Sequence, residues 1–250
     1  MATTRISKKP VPRRAAAEPS GIATPVGDHH WRESSIASLI ARKIEEGIVL
    51  GQRHPRERLV EQDLCADFNT HRGDVRLALF ELEKKGLVQR IPNRGAIVRD
   101  LTPREVAEIY NVREELEVMA VRILPFPVAK PDIARIEALQ SEHSKAVDAG
   151  DLLAVFYSNV HFHRAFFELC GNNCLIETIE SLARKVSGVR SYAYANPDAL
   201  HQARRDHIEM IEALRSSRRG DLVKLTRRHL KPAVQAYIRA YRQRFGEASA

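Results

Sequence analysis

The stretch that decides the fold runs from residue 59 to residue 99 and has the sequence LVEQDLCADFNTHRGDVRLALFELEKKGLVQRIPNRGAIVR. Its apolar spacing predicts a short helix, a turn at NTHR, a second helix over GDVRLALFELEKKG, and two short strands, LVQRI and AIVR. Asn69 and Thr70 interrupt the first helix because both residue types favour turns and caps. The order of elements is therefore helix, turn, helix, strand, strand.

The end of the second helix and the link between the strands have their own local signals. Gly86 follows Lys84 and Lys85, as a glycine does after the last, basic turn of a helix. The sequence Pro-Asn-Arg-Gly stands between two apolar or β-branched runs, which is typical of a β-hairpin turn. A helix-turn-helix followed by a hairpin predicts a winged helix-turn-helix.

The second helix has one polar and one apolar face. Arg72 and Arg76 lie four residues apart, about one turn, and project from the same side, while Val75, Leu79 and Leu82 fall on the buried side. A helix in the major groove needs basic and polar residues at its N-terminal end, and Arg suits bidentate contact with guanine. A solvated amphipathic helix with ordinary surface arginines would show the same pattern.

Two arginines of the hairpin help to separate these alternatives. Arg90 and Arg94 lie on the predicted wing. The wing of a winged helix meets the DNA backbone or the minor groove, so both residues offer a second basic element beside the helix. Together with Arg72 and Arg76 they favour a DNA-binding surface.

Helical periodicity replaces the strand signals from Leu101 onward. Breaks at Pro, Gly and Asn divide it into six helices, near 102–124, 131–149, 152–170, 173–194, 198–218 and 221–244. Consecutive helices joined by short turns pack as an antiparallel bundle. The predicted fold class is therefore mostly α, with an N-terminal winged helix-turn-helix and a C-terminal antiparallel all-helical bundle.

The N-terminal tail differs from the rest of the chain. Residues 1–30 hold four of the twelve prolines and no Leu, Phe, Tyr or Trp, so this basic tail cannot bury a core and is expected to be disordered. Order begins near Trp31, and a helix starts at Ile36 with Ser34 or Ser35 as its N-cap. The predicted boundaries are a tail at 1–30, a DNA-binding domain at 31–100 and a helical domain at 101–245.

The composition of the 250 residues narrows the class of protein further. Forty Lys and Arg against 32 Asp and Glu give a formal net charge of +8, which suits a polyanionic partner. Three cysteines without a paired CxxC pattern argue against a disulfide scaffold and a zinc finger. No apolar run approaches the roughly 18 to 20 residues of a membrane span, and the basic start lacks a signal peptide's apolar region. We expect a cytoplasmic protein with no membrane partner.

Residues 36–99 resemble the GntR family of bacterial transcription regulators. Ile44 to Gly47 is similar to its I..G, PRERL at 55–59 to its PGERL, and Leu64 to Leu79 to its LA..lgvSRtpVReAL. The positions that match its motif are Glu61, Arg72, Val75, Arg76, Ala78, Leu79, Gly86, Leu87, Pro92, Asn93, Arg94 and Gly95.

Two positions depart from that motif. Arg56 replaces a glycine, and His71 replaces the serine that would cap the recognition helix. His71 either accepts a hydrogen bond from a helix N–H when neutral or contacts a phosphate when charged. It therefore joins the four arginines as a predicted DNA-binding residue, with operator preference less defined than DNA binding.

Residues 101–244 resemble the FCD ligand-binding domain of the FadR branch of that family. VREELEVMAVRI is similar to its R..lE..aa, NVHFHRAFFELCGN to its D..FHraia.asgN, and HIEMIEALRSSRRGDLVKLTRRHL to its H..ii.Ai..gD...A...m..Hl. Six helices instead of seven indicate the VanR-like subgroup. The resemblance implies that residues 101–245 bind an effector and form a homodimer.

The resemblance also implies a metal site at Asn159, His163, His207 and His229, where the family has Asp, His, His and His. Asn159 and His163 lie four residues apart, so both can face the bundle interior from one helix. Imidazoles with an oxygen donor suit a divalent first-row ion such as Zn, Ni or Mn. Because a neutral amide binds a cation more weakly than a carboxylate, the site holds metal loosely, holds it only with an anionic ligand, or holds none.

Two further histidines and two arginines are relevant to the same site. His161 and His201 are excluded as ligands because their spacing from His163 and His207 turns them to other faces. An acidic effector would need a cation, and Arg113 and Arg190 are the candidates by resemblance and by position in amphipathic helices. Either arginine could instead be a surface residue.

The sequence predicts a ligand-responsive DNA-binding regulator, in the family's usual role a repressor, acting on a catabolic operon. Each winged helix of a homodimer would bind one half of a pseudo-palindromic operator. An organic acid in the bundle would change the placement of the two DNA-binding domains, with Arg99 to Pro103 as the hinge.

Two other classes of function stay open at this point. A metal-dependent hydrolase would use the histidines, but the sequence has no HExxH, GxSxG, Walker loop or GxGxxG motif. A sequence-tolerant architectural DNA binder would use the basic tail and wing and leave the histidines without a role. A specificity ratio near one between operator and random DNA would identify it.

Overall fold

The computed structural model describes residues 35–92, 94–194 and 196–246. The expectations for the tail at 1–30, for Trp31 and for Ser34 fall outside these residues. The described helices are α1 (Ile36–Val49), α2 (Glu61–Asp67), α3 (Arg72–Lys84), α4 (Pro103–Ile123), α5 (Lys130–Ala149), α6 (Leu152–Glu168), α7 (Asn173–Lys185), α8 (Arg190–Tyr194), α9 (Pro197–Arg215) and α10 (Arg219–Phe245). The strands are β1 (Arg58–Leu59), β2 (Val88–Ile91) and β3 (Gly95–Val98), and a 3-10 turn spans Ser187–Val189.

The elements from α1 to β3 form the predicted winged helix-turn-helix. Ser35 caps α1, because its side chain accepts a hydrogen bond from the backbone N–H of Ser38 at 3.2 Å. The sheet has the order β1-β3-β2 with both pairings antiparallel. Strand β1 was not predicted, because two residues are too few to show a period, and helix α2 consequently begins at Glu61 instead of Leu59.

Two glycines permit the sharp turns of this domain. Gly86 has φ 76° after α3, and the N–H of Leu87 donates back to the carbonyl of Leu82 at 3.0 Å, which confirms the predicted glycine end of the helix. Gly95 has φ 92° at the start of β3. A Cβ atom at Gly95 would collide with the carbonyl oxygen of Leu59, so β1 and β3 can pair only over a glycine.

Helices α4 to α10 form the predicted all-helical domain. Its core is built around Phe162 and Phe166 of α6, Leu214 of α9 and Leu222 of α10, which are buried. Helix α5 packs on α6 and α9, and α10 packs on α4 and α9. Among the described residues, no helix is both long and apolar enough to cross a bilayer.

The predicted helix at 173–194 is interrupted, and this is a correction. Helix α7 ends at Lys185, the 3-10 turn follows, and α8 begins at Arg190. Val186 and Val189 are buried on either side of Gly188, so tertiary packing redirects a segment whose local periodicity favours one helix. The assignment to the VanR-like subgroup used a count of six helices, and the interruption removes that basis.

The DNA-binding domain and the helical domain contact each other directly. Tyr157 of α6 donates its hydroxyl hydrogen to Oε1 of Glu46 in α1 at 2.9 Å. Tyr237 of α10 donates to the carbonyl of Leu101 in the linker. The linker then enters α4 through a capping box, in which Thr102 and Glu105 satisfy each other's backbone N–H groups.

Arg56, which replaces the glycine of the resembling motif, forms another of these contacts. Its backbone has φ 67°, in the left-handed region that favours glycine. Its Nε atom lies 2.6 Å from Oδ2 of Asp100 in the linker, and its guanidinium lies 4.7 Å from the ring centre of Phe245 at the end of α10. The departure from the motif thus adds a side chain that connects both domains.

Candidate functional site

Helix α3 presents the two faces expected of a recognition helix. Val75, Leu79 and Leu82 are buried in the domain core, as predicted, while Arg72 and Arg76 are exposed on the other side. The side chain of Arg72 has no hydrogen-bond or ion-pair partner among the described residues. Nε of Arg76 lies 3.0 Å from Oε2 of Glu61 on α2. Arg72 is therefore free to contact a ligand. Arg76 can do so only if it leaves the carboxylate of Glu61 or shares that carboxylate with the ligand.

His71 occupies the N-cap position of α3 without capping it through its side chain. Its backbone is extended, and its carbonyl accepts the N–H of Asp74 at 3.1 Å, but its side chain makes no capping hydrogen bond. The predicted option of side-chain capping is therefore wrong for this structure. Thr70 stabilises the same turn by donating to Oδ2 of Asp74 at 2.8 Å. The exposed imidazole of His71 stays available for a phosphate.

The two arginines of the wing differ in their contacts. Nε of Arg90 donates to Oε2 of Glu83 at 2.6 Å, and its guanidinium lies 5.0 Å from the ring centre of Phe80, so the side chain is directed onto α3. Arg94 is exposed in the turn between β2 and β3, and its side chain contacts no partner in the described part of the chain. Arg94 therefore extends the basic surface beyond α3 more readily than Arg90 does.

Three histidines from three helices converge inside the helical domain. Nε2 of His163 on α6 lies 3.0 Å from Nε2 of His229 on α10 and 3.3 Å from Nε2 of His207 on α9. All three offer a ring nitrogen within 4.8 Å of the others, and together they form a group that can hold a metal ion. The structure thus brings together the three histidines that the family resemblance implied.

The protonation state of His163 and His207 suits metal binding. Burial, reinforced by the neighbouring His229, holds the pKa of both His163 and His207 well below the ordinary value, so both rings are neutral. Oε1 of Gln140 lies 2.8 Å from Nδ1 of His207 and assigns the hydrogen to that atom, leaving Nε2 with a free lone pair. Metal ligands of the histidine type need this neutral, correctly oriented form.

A buried carboxylate supports the third histidine. Oδ2 of Asp206 lies 3.5 Å from Nδ1 of His229, which is longer than a good hydrogen bond. Burial alone would raise the pKa of Asp206, but contacts with His229, Gln202 and Arg228 hold it below the ordinary value. Its negative charge stands behind the ring that would bind the ion, which is the arrangement that orients and strengthens histidine ligands.

A cavity of about 70 Å³ adjoins the histidines. Asn159, one turn before His163 on α6, lines it, as do Arg113 and Arg190. Arg113 is buried, and its Nη2 lies 2.7 Å from Oε1 of Glu117, so a carboxylate already compensates its charge. Arg190 has no ion-pair partner within the described residues. The structure thus places both predicted cations and the amide beside the histidines, with Arg190 the less compensated of the two cations.

Sequence reasoning missed the residues that surround the cluster. Gln140, Asp206 and His143 are buried close to it, and none belongs to a motif used to find the ligands. Nδ1 of His143 lies 3.1 Å from Oγ of Ser158, and its ring centre lies 5.1 Å from that of His207. The sequence carried little indication of these contacts, because Gln140 and His207, which contact each other, are 67 residues apart in the chain. His161 is exposed, and neither it nor His201 belongs to the group of three histidines that could hold a metal ion.

Comparison with known proteins identifies two family domains in this chain. The profile of the bacterial regulatory proteins of the gntR family matches residues 36–98, and the profile of the FCD domain matches residues 108–232. This chain belongs to the GntR family and carries an FCD domain. As a GntR/FCD protein it is a transcription regulator with a DNA-binding helix-turn-helix and an effector domain, and it is not an enzyme.

Individual relatives extend over most of this GntR/FCD regulator. It is 25% identical over 174 residues to the uncharacterized HTH-type transcriptional regulator YdhC of Bacillus subtilis (strain 168), covering 69% of this chain and 78% of that protein. It is 24% identical over 189 residues to the HTH-type transcriptional repressor RspR of Escherichia coli (strain K12), covering 76% and 82%. The fold is similar to that of E. coli McbR/YncC, with a TM-score of 0.71, 22% identity, and coverage of 83% of this chain and 99% of that one.

Proposed function

We propose that this GntR/FCD regulator is a homodimeric repressor of a catabolic operon that a small carboxylate, bound beside the histidines, releases from or retargets on its operator. One observation carries the proposal. An exposed basic face on α3, with Arg72 free of partners among the described residues, coexists in one chain with three converging histidines that could hold a metal ion and that lie next to two arginines. The first suits a polyanion, and the second suits a small anion.

The DNA half of the proposal assigns different roles to the basic residues. Arg72 and Arg76 at the N-terminal end of α3 would meet base edges or phosphates in the major groove. Arg94 would contact the backbone or minor groove from the wing, with His71 and Arg90 as further contacts. Arg76 and Arg90 already pair with Glu61 and Glu83, so their contribution to DNA affinity includes the cost of losing those pairs.

An exposed apolar stripe on α4 supports the homodimer. Val112, Met119 and Ile123 are 53%, 47% and 43% exposed, and the half-buried Leu116 lies between them. The four positions follow spacings of four, three and four residues, which is the seam of a helix that packs against another helix. A pseudo-palindromic operator needs two DNA-binding domains, and pairing along this stripe would supply them.

The effector half rests on the charge of the cavity. His163, His207 and His229, with the Asn159 amide nearby, would hold a divalent first-row ion, which polarises and attracts an anionic ligand when bound. None of these side chains is a carboxylate, so a ligand carboxylate would offset the positive charge of a bound ion. Arg190 would bind the same carboxylate. The cavity volume of about 70 Å³ favours a small acid.

The path from this cavity to the DNA-binding domain is short. Arg190 is the first residue of α8, directly after the 3-10 turn. A Cβ atom on Gly188 of that turn would lie 3.2 Å from Cγ2 of Ile48 in α1, so the turn packs tightly against the DNA-binding domain. A carboxylate that pulls on Arg190 would shift this contact, to the extent that it binds the two placements of the domains with different affinity.

Fluorescence anisotropy with DNA from upstream of the protein's own gene tests the DNA half. At fixed salt and excess nonspecific competitor, we expect tight binding that Arg72→Ala/Arg76→Ala abolishes. Arg239→Ala/Arg242→Ala, on the exposed side of α10, is the matched control and should bind as the wild type does. Weak binding that competitor removes and that ignores the α3 arginines would reject the repressor and favour an architectural DNA binder.

The same assay tests the effector half. Small mono- and dicarboxylates are added to the protein–DNA complex in the presence of Zn, Ni or Mn, and release is recorded against concentration. We expect an active acid to need at least about tenfold more concentration in Arg190→Gln, since an arginine–carboxylate contact in a partly buried site is worth more than 1 kcal/mol. An unchanged response in Arg190→Gln, or a response that survives His163→Ala, would place the effector elsewhere.

A further inference from the structure

A second cavity lies where the DNA-binding domain meets the helical domain. Its volume is about 290 Å³, compared with about 70 Å³ beside the histidines. One wall comes from the end of α1, the loop after it and the sheet, including Ile48 and Val98. The other wall comes from the 3-10 turn, α8 and α10, including Val189 and Tyr237. The space is therefore bounded by both domains, a location where ligand sites are common.

The floor of this interdomain cavity is apolar. Leu87, Val98, Leu101 and Val189 line it and are buried. The rings of Tyr192 and Tyr237 meet edge to face with centres 5.1 Å apart and close one side. The hydroxyl of Tyr237 already donates to the carbonyl oxygen of Leu101. This side of the cavity therefore presents mainly aromatic ring surface to a ligand. Such walls suit a flat or compact hydrocarbon body.

The rim of the cavity is basic. Arg53, Arg99 and Lys185 line it, and none of its described lining residues is Asp or Glu. Arg53 and Arg99 have carboxylate partners outside the lining, Glu57 at 2.7 Å and Glu105 at 3.1 Å. Lys185 forms no ion pair or hydrogen bond with another described residue, and its stem packs against Gly86. The uncompensated charge of the rim therefore lies at Lys185.

From this combination we infer a second ligand site, distinct from the histidine cavity, that takes an amphipathic monoanion: one carboxylate on an aromatic or alicyclic body. The body fills the apolar floor between Val98 and Val189, and the carboxylate pairs with Lys185 at the rim, assisted by Arg99. Because the two walls belong to different domains, the bound molecule contacts the DNA-binding domain directly. Its occupancy favours the domain placement described here over any placement that opens the cavity.

Isothermal titration of the full-length protein with 2-naphthoate tests the site. The buffer contains EDTA, so no metal assists binding at the histidines, and neutral 2-naphthylmethanol serves as the uncharged probe of the same shape. We expect 2-naphthoate to bind at micromolar to millimolar concentration and at least about tenfold more tightly than the alcohol, as a charge-assisted contact predicts.

Variants locate the probe. Lys185→Gln removes the rim charge from an exposed position and should weaken 2-naphthoate at least about tenfold without weakening the alcohol. Ser191→Phe places a ring in the cavity and should abolish binding of both, with circular dichroism to verify the fold. Lys231→Gln, an exposed lysine elsewhere on the helical domain, is the matched control and should bind as the wild type does.

Three results would overturn the inference. They are the absence of 2-naphthoate binding to the wild type at millimolar concentration, equal binding by Lys185→Gln and wild type, and loss of binding in His163→Ala, which would assign the probe to the histidine cavity. The proposed repressor does not depend on this titration, because operator binding is measured without any naphthoate.

Discussion

The exposed basic surface of α3 and the wing, here called the recognition surface, differs in construction from the cavity beside the three histidines, here called the histidine cavity. On the recognition surface, Arg72 and Arg94 are exposed and have no side-chain partner among the described residues. At the histidine cavity, Arg113 in its lining and His207 behind it are buried, and both already contact a polar partner. Free surface cations suit a large polyanion, whereas side chains that converge from several helices suit a small ligand that fits between them.

The two sites also differ in what fixes the relative positions of their side chains. The recognition surface uses residues 71–94, which are close in sequence, and α3 alone sets the spacing of its arginines. The cavity draws on α4, α6, α8, α9 and α10, so its geometry depends on how the whole bundle packs. We therefore expect the two regions to respond independently to substitution, except where the interdomain contacts connect them.

The largest expected effect is on metal affinity. Replacing His163 removes the ring whose Nε2 atom contacts both other histidines, so His163→Ala should weaken Zn binding by more than about 100-fold, beyond the loss typical of a supporting residue. Competition with a chromophoric chelator measures this. His161→Ala, on the exposed side of the same helix, is the control. An equal loss in both variants, or lost operator binding by metal-free His163→Ala, would break the independence of the two regions.

The next effect separates the free arginines from the paired ones. Arg72→Ala should weaken operator binding by about 10- to 100-fold, the cost of one good base or phosphate contact. Arg90→Ala should cost less, because that side chain is already directed to Glu83 and Phe80. Anisotropy at several salt concentrations measures both affinity and salt dependence. A larger loss of operator affinity for Arg90→Ala than for Arg72→Ala would show that Arg90 leaves Glu83 and contacts the DNA.

The folding stability should decrease in acid because of a buried histidine near the histidine cavity, His143. Burial, with the charges of His229 and Arg204, lowers the pKa of His143 from 6.5 to about 4 in the folded protein. Between these values the unfolded chain binds more protons, so folding stability falls as pH falls, by roughly 2 kcal/mol between pH 7 and pH 5. Urea unfolding in EDTA at both pH values measures it. His143→Asn should lose that part of the slope, although His163 and His207 contribute in the same direction. An unchanged slope would contradict the assignment.

The smallest effect concerns the interdomain contact of Arg56. Arg56→Ala keeps the left-handed backbone and loses the contacts with Asp100 and Phe245, so it should lower the free energy of unfolding by about 1 kcal/mol or slightly more. Arg56→Gly loses the same contacts but relieves the backbone, which recovers about 1 kcal/mol relative to Ala. Chemical denaturation orders the three proteins. Equal stability of the Ala and Gly variants would contradict strain at this position.

The sequence predicted most of the fold because most signals were local. The Ser35 cap, the glycine at 86 and the pairing of the two hairpin strands depend on signals within a few residues, and each appears where it was expected. The prediction failed at β1, at the side-chain cap by His71, and at the break before Arg190. In the last case helical periodicity continues through a segment that packing against α1 and α10 bends.

The sequence by itself determined the helix-turn-helix with its hairpin and the faces of α3, because periodicity and turn signals are properties of neighbouring residues, and the family resemblance implied the histidines as candidate ligands. Only the tertiary structure decided which side chains already have a partner. Arg76 and Arg90 pair with carboxylates, Arg113 pairs with Glu117, and His207 is hydrogen-bonded to Gln140. The tertiary structure also decided the supporting role of Asp206 and the interdomain cavity beside Lys185. The physical reason is that desolvation, pairing and cavity shape depend on residues that meet only after distant helices pack.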